Sequence, residues 1–254
     1  MRTILITGAA QGIGLATARR YAEQGWYVGL YDINREGIAD LLASGDFPNA
    51  CGDYCDVTDS ASIAAMIEHF SGNTKGRLDL LINNAGVLSV GRFEEIELAA
   101  HDLMTEVNVK GATNTLYHAF PLLQQTQGAT VVNLCSASSI HGIPRLAVYS
   151  STKFYVDGLT EALDLEWRQY DIRVTSVKPP VIKTAMGHVV EAQMPQKLSA
   201  ELTAEDVAAH IQKAAEGRGT SFPMGFATMA WYVLDKLLPN PLRHRLTRYL
   251  TGLD

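Results

Sequence analysis

Short apolar runs alternate with longer amphipathic stretches along this chain. Runs of about four to eight apolar residues are typical of strands, and runs without polar interruption are typical of parallel strands buried on both faces. The amphipathic stretches between them predict crossover helices. The predicted strands are Thr3–Ile6, Tyr27–Asp32, Ala50–Cys55, Leu78–Asn83, Thr130–Ser136 and Arg173–Lys178, and the predicted helices lie near 12–24, 35–43, 59–71, 99–124, 148–170 and 204–217.

This alternation predicts an α/β fold in which one doubly wound parallel sheet carries helices on both faces. The chain has 254 residues, of which 47% are hydrophobic and 19% are charged, so it can bury a sizeable core. No stretch resembles a linker, an internal repeat or a low-complexity segment. We therefore expect a single domain over residues 1–254.

The charged residues argue against a nucleic-acid partner. There are 27 acidic and 21 basic residues, a formal net charge of −6, and the basic residues are scattered through most of the chain. Nucleic acids are bound by concentrated basic faces. The cysteines Cys51, Cys55 and Cys135 are odd in number and lack metal-ligand spacing, which predicts no metal site and favours a reducing, cytoplasmic setting.

Neither a targeting signal nor a membrane span is predicted. Met1 is followed almost at once by the strand-like run Ile4–Ile6, without a charged leader. No apolar stretch reaches the roughly eighteen residues that a membrane span needs. We therefore expect a soluble protein.

A glycine-rich segment, Thr7–Gly14, lies where the first predicted strand turns into the first helix. Glycines allow a tight turn and a close approach of the backbone to a pyrophosphate, while a helix N-terminus directs free N–H groups at that anion. The segment therefore predicts a dinucleotide site at Gly8, Gly12 and Gly14. Similar glycine-rich turns also join strands to helices without any ligand.

Asp32 ends the second predicted strand, twenty-four residues after the first glycine of this segment. A carboxylate there accepts hydrogen bonds from ribose hydroxyls and repels a ribose phosphate. Because neither Gln11 nor Ile33 is basic, the pattern predicts NAD rather than NADP. The alternative for Asp32 is a solvated loop carboxylate. Asp56, just before Val57, is either a turn former or a cap on the adenine pocket.

Tyr149 and Lys153 lie four residues apart early in a predicted helix, so both side chains project from one face. A free phenol loses its proton at about pH 10, and a neighbouring ammonium favours the phenolate. The pair therefore indicates general acid–base chemistry. Such pairs also arise by chance on helix surfaces, but Ser136 thirteen residues upstream strengthens the functional interpretation.

Together these motifs resemble the short-chain dehydrogenase/reductase family over nearly the whole chain, from Thr3 to about Gly217. The resemblance rests on several motifs in the same order as in the family. They are Thr7–Gly14, Asp56-Val57, Asn83-Asn84-Ala85-Gly86, Asn108 within Glu106–Gly111, Ser136 followed by Tyr149 and Lys153, and Pro179 followed by Thr184.

The resemblance implies a Rossmann-type fold and a catalytic tetrad of Asn108, Ser136, Tyr149 and Lys153. Tyr149 is expected to be the general acid/base, and Lys153 to hold the nicotinamide ribose and lower the proton affinity of the phenol. Ser136 is expected to bind the substrate oxygen, with Ser138-Ser139 as neighbouring alternatives. Asn108 is expected to position a relay water, or else simply to kink or cap its helix.

The same resemblance implies a set of NAD contacts. One departure concerns the nicotinamide end, because this chain has Pro180 where the family usually has glycine after the proline of the sixth strand. Proline fixes φ near about −65°, which excludes a positive φ there. The implied contacts are Gly8, Gln11, Gly12, Ile13, Gly14, Asp32, Asp56, Val57, Asn84, Ala85, Gly86, Tyr149, Lys153, Pro179, Ile182 and Thr184.

Three variable segments are predicted to form the substrate pocket: Leu88–Phe93, His141–Leu146 and Ala185–Leu198. His141 and Arg145 are candidates for binding a polar group, with simple solvation as the alternative. Apolar residues outnumber polar ones, which predicts a lipophilic alcohol or ketone as substrate; these residues are Leu146, Met186, Val189, Val190 and Met194.

The C-terminal segment, at about 220–254, departs from the family pattern. An apolar run from Phe222 to Leu238 precedes Arg243–Leu250, which is predicted to be a basic amphipathic helix. Such a tail covers the substrate pocket, touches a membrane surface, or packs on its own domain or on a partner subunit.

The implied function is that of an NAD-dependent oxidoreductase that interconverts an alcohol and a ketone or aldehyde. A non-catalytic NAD-binding sensor is the alternative, although a sensor has no need of the complete tetrad. An epimerase or dehydratase relative would have a further sugar-nucleotide domain. A homodimer or homotetramer is also expected, because apolar residues occupy more than one face of the stretches 99–124 and 148–170: Leu116, Phe120, Leu159, Leu163 and Trp167.

Overall fold

The computed structural model describes residues 1–193 and 199–252. The strands are β1 (Thr3–Thr7), β2 (Tyr27–Asp32), β3 (Ala50–Tyr54), β4 (Leu80–Asn83), β5 (Thr130–Leu134), β6 (Arg173–Lys178), β7 (Val181–Lys183), β8 (Ser199–Thr203) and β9 (Ser221–Pro223). The helices are α1 (Gly12–Glu23), α2 (Arg35–Ala43), α3 (Ser60–Thr74), α4 (Leu98–Thr105), α5 (Ala112–Gln124), α6 (Ala147–Glu166), α7 (Ala185–Gln193), α8 (Ala204–Glu216), α9 (Phe226–Leu237) and α10 (Asn240–Thr251).

Seven strands form one central sheet in the order β3-β2-β1-β4-β5-β6-β9, and every neighbouring pair is parallel. The order reverses between β1 and β4, the kind of switch point at which open α/β sheets bind ligands. A second, two-stranded parallel sheet pairs β7 with β8.

Successive residues of β1 face opposite sides of the sheet and enter two separate hydrophobic cores. Ile4 and Ile6 belong to the core beneath α1, α2 and α8, whereas Leu5 belongs to the core beneath α3, α5 and α6. Both faces of the sheet are therefore covered by helices, and the predicted doubly wound α/β architecture is confirmed.

The six predicted strands all occur in the central sheet, within two residues of their predicted limits. The prediction missed the seventh strand, Ser221–Pro223, because three residues are too few to establish a period of two. It also missed the β7–β8 pair. The predicted helix at 99–124 is interrupted by a π-helical turn at Glu106–Gly111, and the last four residues of the one at 148–170 form a 3₁₀ turn.

A buried lysine ties the late strand β9 to the rest of the fold. Lys178 ends β6 and is fully buried, with its ammonium 2.6 Å from a carboxylate oxygen of Asp157 on α6. The same ammonium donates a hydrogen bond to the hydroxyl of Ser221 in β9 and lies 5.2 Å from the ring centroid of Tyr232 on α9. A buried charge requires such partners, so α6, β9 and α9 are held together around it.

Five apolar residues that led us to expect an oligomer are buried, fully or in part, within their own chain. They are Leu116, which is fully buried, and Phe120, Leu159, Leu163 and Trp167, which pack against the core beneath α3, α5 and α6. The large apolar side chains that α5 and α6 expose are others, among them Tyr117 at 76% and Leu165 at 70% exposure.

Candidate functional site

A cavity of about 1200 Å³ opens at the carboxyl ends of the central strands. Its walls come from the segments that follow β1, β2, β3, β4, β5 and β6, together with the N-terminal part of α6. Sixteen of the eighteen predicted site residues line it: Gly8, Gln11, Gly12, Ile13, Asp32, Asp56, Val57, Asn84, Ala85, Gly86, Ser136, Tyr149, Lys153, Pro179, Ile182 and Thr184.

The remaining two, Gly14 and Asn108, lie behind the cavity wall. A Cβ on Gly14 would collide with the carbonyl oxygen of Gly8, so only glycine permits this close contact between α1 and the preceding turn. Gly8 and Gly12 have φ values of 68° and 55°, in the left-handed region that glycine adopts without strain. A Cβ on Gly12 would have no neighbour nearer than the Thr184 methyl group at 3.9 Å, so the space beside this turn is open.

The turn is fixed to the neighbouring strand by Asn84, which follows β4. The Asn84 amide nitrogen donates to the carbonyl oxygens of Thr7 at 2.9 Å and Gly8 at 3.0 Å. In return, the hydroxyl of Thr7 accepts hydrogen bonds from the backbone N–H groups of Asn84 and Ala85, both at 3.1 Å. The side chain of Asn84 therefore shapes the turn between β1 and α1 rather than projecting freely into the cavity.

Asp32 lies at the carboxyl end of β2 and borders the cavity. One of its carboxylate oxygens accepts a hydrogen bond from the backbone N–H of Ala10 at 3.0 Å, and the other accepts one from Asn34 at 2.9 Å. These bonds fix the orientation of the negative charge beside the glycine turn. Among the described residues that line the cavity, the lysine and arginine side chains are Lys153 and Lys183, and neither belongs to the segment after β2.

The carboxylate of Asp56 is engaged locally. It accepts hydrogen bonds from the backbone N–H of Thr58 at 2.9 Å and from the Thr58 hydroxyl at 2.8 Å, while the Asp56 N–H donates to Ser62. This is the turn-forming arrangement that the sequence left open beside the pocket-capping one. Because Asp56 also borders the cavity, its turn sets the shape of that wall.

Tyr149 and Lys153 project from the first turns of α6 toward Ser136, which follows β5. The Lys153 ammonium lies 5.7 Å from the centroid of the Tyr149 ring. Burial raises the pKa of the Tyr149 phenol to about 12, and a hydrogen bond with Ser136 opposes this rise. Burial also lowers the pKa of Lys153, because the charged ammonium loses water.

Ser138 is hydrogen-bonded to Ser136 through two groups. The Ser138 hydroxyl donates to the Ser136 hydroxyl oxygen at 2.8 Å, and the Ser138 backbone N–H approaches the same oxygen at 3.2 Å. Ser139 instead donates to the backbone carbonyl of Ser136 at 2.8 Å. Ser136 is therefore the serine of this segment that is hydrogen-bonded to the Tyr149 phenol, and Ser138 fixes the position of its hydroxyl.

Asn108 lies within the π-helical turn between α4 and α5 and is almost fully buried. Its carbonyl oxygen accepts from the backbone N–H of Val87 at 2.9 Å, and its amide nitrogen donates to the Val87 carbonyl at 2.8 Å and the Thr152 hydroxyl at 3.2 Å. A Cβ on Gly86 would lie 3.3 Å from the Asn108 carbonyl oxygen and 3.6 Å from the Lys153 ammonium. Asn108 therefore fixes the backbone of the segment after β4, close to the Lys153 ammonium.

The residues after β6 close the same end of the cavity. The carbonyl of Pro179 accepts a hydrogen bond from the N–H of Ala137 at 2.9 Å, which joins this segment to the one that carries Ser136. The φ of Pro180 is negative, because the proline ring excludes positive values. The hydroxyl of Thr184 accepts from the N–H of Gly187 at 3.1 Å, so it caps the start of α7.

The predicted substrate segments contribute unequally to the cavity. Leu88, Leu146, Met186 and Val190 line it, whereas Phe93 is exposed and stacks on His101. Leu146 and Val190 form a buried apolar cluster against which Leu88 and the Tyr149 ring pack. Val189 does not line the cavity, and Met194 and Leu198 lie outside the described residues.

His141 and Arg145 bind protein groups instead of lining the cavity. The guanidinium of Arg145 donates to the backbone carbonyl of Gln193 at 2.6 Å. The imidazole of His141 is 2.9 Å from a carboxylate oxygen of Asp235 on α9, and Arg243 on α10 is 3.1 Å from the other oxygen. Asp235 therefore links the predicted substrate loop to both C-terminal helices.

The C-terminal helices supply cavity residues that the sequence did not single out. Trp231 and Leu234 of α9 and Leu246 of α10 line the cavity, and Met224 precedes them along its wall. The tail therefore packs on its own domain and borders the cavity, which are two of the arrangements that the sequence left open. Positions 227, 230, 231 and 234 are apolar and follow the i, i+3, i+4, i+7 spacing of one helix face, a pattern from which this cavity-lining face of α9 could have been predicted.

Within residues 1–193 and 199–252, no group of three or more histidine, cysteine, aspartate or glutamate side chains is arranged to hold a metal ion. The three cysteines are free and buried.

Comparison with known proteins agrees with this geometry. The family model described as short chain dehydrogenase matches residues 2–195. A D-threitol dehydrogenase from Mycolicibacterium smegmatis is 33% identical over 189 residues, which cover 74% of this chain and 72% of that protein. A cyclohexanol dehydrogenase from an Acinetobacter species is 33% identical over 199 residues, which cover 76% of this chain and 78% of that protein.

A solved structure has the same fold over most of its length. A short-chain dehydrogenase/reductase from Burkholderia phymatum in complex with NAD superposes with a TM-score of 0.82 at 25% identity, covering 92% of each chain. The matched family model, the curated relatives and the solved structure together identify this chain as a member of the short-chain dehydrogenase/reductase family of oxidoreductases.

Proposed function

We propose that this protein is an NAD-dependent oxidoreductase that interconverts a lipophilic alcohol with its ketone or aldehyde. The observation that carries the proposal is the position of the Tyr149 phenol. It is hydrogen-bonded to Ser136, its ring centroid lies 5.7 Å from the Lys153 ammonium, and it lines a cavity that also borders the glycine turn and Asp32.

The residues around the turn between β1 and α1 fit a dinucleotide. The N-terminus of α1 provides backbone N–H donors for a pyrophosphate. The left-handed glycines form the turn, and the open space at Gly12 lets a ligand approach it. Asp32 offers its carboxylate to ribose hydroxyls and disfavours a ribose phosphate, which supports NAD over NADP. When bound, the nicotinamide ring supplies hydride transfer to or from the carbon that bears the substrate oxygen.

Tyr149 moves the proton that accompanies this hydride. As a phenol it donates to the carbonyl oxygen of a ketone, and as a phenolate it accepts the hydroxyl proton of an alcohol. Burial holds the pKa of the phenol at about 12, so the protein must stabilise the phenolate for alcohol oxidation near neutral pH. The hydrogen bond with Ser136 opposes the rise in pKa, and the ammonium of Lys153, 5.7 Å from the ring centroid, favours the phenolate.

Ser136 and Asn108 complete the arrangement in different ways. The Ser136 hydroxyl, oriented by Ser138, donates to the substrate oxygen beside Tyr149 and stabilises charge that develops on it. Asn108 makes no direct contact with the cavity, so we assign it a positioning role for the backbone at Val87 and, through it, for the wall next to Lys153. A water that relays protons would be bound by the π-helical turn that contains Asn108.

The chemistry of the cavity supports a lipophilic substrate. The ring of Tyr149 packs against the apolar cluster of Leu146 and Val190, and Trp231, Leu234 and Leu246 also line the cavity. The names of the two relatives do not decide the question, since D-threitol is polar and cyclohexanol is largely apolar. The buried free thiols support a reducing, cytoplasmic setting.

The decisive experiment is a substrate panel with the purified protein. Primary, secondary and cyclic alcohols of increasing apolar size, with matched polyols, are offered with NAD or NADP, and reduced nicotinamide is followed by absorbance. We expect turnover with NAD and a kcat/KM that rises with apolar size. NAD binding without turnover of any alcohol or ketone would instead favour a nucleotide sensor, and preference for polyols would contradict the lipophilic assignment.

A further inference from the structure

The outer face of α9 carries an apolar stripe that the fold leaves exposed. Phe226 is 91% exposed, Met229 46%, Val233 48% and Leu237 74%. These positions are three or four residues apart, so they lie along one side of the helix. Exposed large apolar residues are ordinary when scattered, but a contiguous stripe indicates an interaction surface.

The stripe is continuous with the mouth of the cavity. Ala230 and Leu234 lie on the adjoining face of α9 and line the cavity, and Phe226 belongs to both surfaces. Leu242 is 51% exposed on α10, one turn before the cavity-lining Leu246. An apolar molecule at the stripe would therefore reach the cavity without crossing a polar surface.

Basic residues accompany the stripe in an otherwise acidic protein. Residues 226–252 contain four lysine and arginine residues and one acidic residue, whereas the whole chain has a net charge of −6. The acidic residue, Asp235, is buried between His141 and Arg243. Lys236, Arg245 and Arg248 are exposed on α9 and α10. Glu161 of α6 lies near Lys236, so the exposed positive charge is concentrated on α10.

We propose that α9 and α10 form a docking surface for an anionic phospholipid membrane. The apolar stripe enters the boundary between headgroups and acyl chains, and the basic residues bind the anionic headgroups. The binding is peripheral, since no helix in the described ranges is long and apolar enough to cross a bilayer. When the protein is docked in this way, its cavity opens toward the membrane, and an apolar substrate would pass from the membrane into the cavity.

The charge pattern favours a membrane over a second copy of this chain as the occupant. In a two-fold interface both copies present the same surface, so the basic residues Lys236, Arg245 and Arg248 of one copy would face the basic surface of the other. Like charges brought together in that way oppose association. An anionic lipid surface, by contrast, neutralises all of them at once.

Vesicle co-sedimentation of the full-length protein tests this proposal without any turnover. We expect binding to vesicles of equal parts phosphatidylcholine and phosphatidylglycerol, and weaker binding to phosphatidylcholine alone or at high salt. Leu237→Glu should lower the partition coefficient about tenfold or more, because it removes a large apolar side chain from the interface and adds a repelled charge. Leu237 does not line the cavity, so NAD binding and the melting temperature should stay unchanged.

Leu98→Glu is the matched control, since Leu98 is 72% exposed on α4 and does not line the cavity. This variant should bind the anionic vesicles as the unchanged protein does. Failure of the unchanged protein to bind, or equal loss in the two variants, would overturn the proposal. It would also be overturned if Leu237→Glu lowered the particle mass in light scattering without vesicles, because the stripe would then be covered by a second copy. None of these readouts depends on the enzymatic assignment.

Discussion

The ammonium of Lys153 donates a hydrogen bond to the backbone carbonyl of Leu134 at 2.7 Å. Leu134 is the last residue of β5, so this bond fixes the lysine of α6 against the end of the central sheet. An ammonium has three donors, and the bond uses one of them. The other two remain to be shared between a ribose and the surroundings of the Tyr149 phenol.

Removing this ammonium should change both cofactor binding and the pH dependence of turnover. We expect Lys153→Ala to weaken NAD binding and to reduce alcohol oxidation at neutral pH. The pKa of Tyr149, which burial raises to about 12 with the ammonium in place, would then rise further. Only the deprotonated phenol accepts the substrate proton, so kcat should rise with pH through the alkaline range. A pH–rate profile that is flat through the alkaline range would contradict this account.

Tyr149→Phe keeps the aromatic ring in its apolar cluster but removes the proton-transfer group. Loss of a positioned acid/base typically costs about 10²–10⁴ in rate, so kcat should fall by that amount or more. NAD affinity, measured by isothermal titration, should stay nearly unchanged, and alkaline pH should not restore activity. Near-normal turnover in this variant would remove Tyr149 from the mechanism.

The charge of Asp32 should determine the choice of cofactor. We expect the unchanged protein to use NAD at least about tenfold better than NADP in kcat/KM, which corresponds to about 1.4 kcal/mol. Asp32→Ala should reduce this preference. Asp32→Asn removes the charge but keeps an amide oxygen, which can still accept a hydrogen bond from the N–H of Ala10 or of Asn34. The two variants together therefore separate the effect of the charge from that of the hydrogen bonds. Equal efficiency with both cofactors in the unchanged protein would refute the role of Asp32.

Two glycine-to-alanine substitutions should have opposite effects on stability. In Gly14→Ala the new methyl group meets the carbonyl oxygen of Gly8, so we expect a loss of NAD binding and a lower melting temperature. In Gly158→Ala, on α6, the methyl group meets nothing within 4 Å. Alanine there should stabilise the protein by about 0.5–1 kcal/mol, since it restricts the unfolded chain and favours the helix. Calorimetry measures both changes.

Self-association should use the exposed apolar residues of α5 and α6. We expect at least a homodimer in solution, and Leu165→Glu should reduce its stability, because Leu165 is 70% exposed in one chain. Light scattering at micromolar concentration measures the particle mass. A monomer mass for the unchanged protein would exclude this assembly.

Sequence periodicity predicted the sheet well because its central strands are apolar and flanked by turns. The motifs of the cofactor turn, Asp32 and the Tyr149–Lys153 pair could be identified because they depend on residues close together in sequence. The interactions of His141 were out of reach, since its partner Asp235 is ninety-four residues away. The same limit applies to Trp231 and Leu246, whose position on the cavity wall depends on how α9 and α10 fold back over it.

The pairing of β6 with β9 has a consequence for the order in which the chain becomes complete during synthesis. Residues 221–223 leave the ribosome after Asn108, Ser136, Tyr149 and Lys153 have all emerged. Until then Lys178 has Asp157 but not Ser221 as a partner, and the edge of β6 stays unpaired. The helix that carries Tyr149 and Lys153 therefore acquires its full support only near the end of translation.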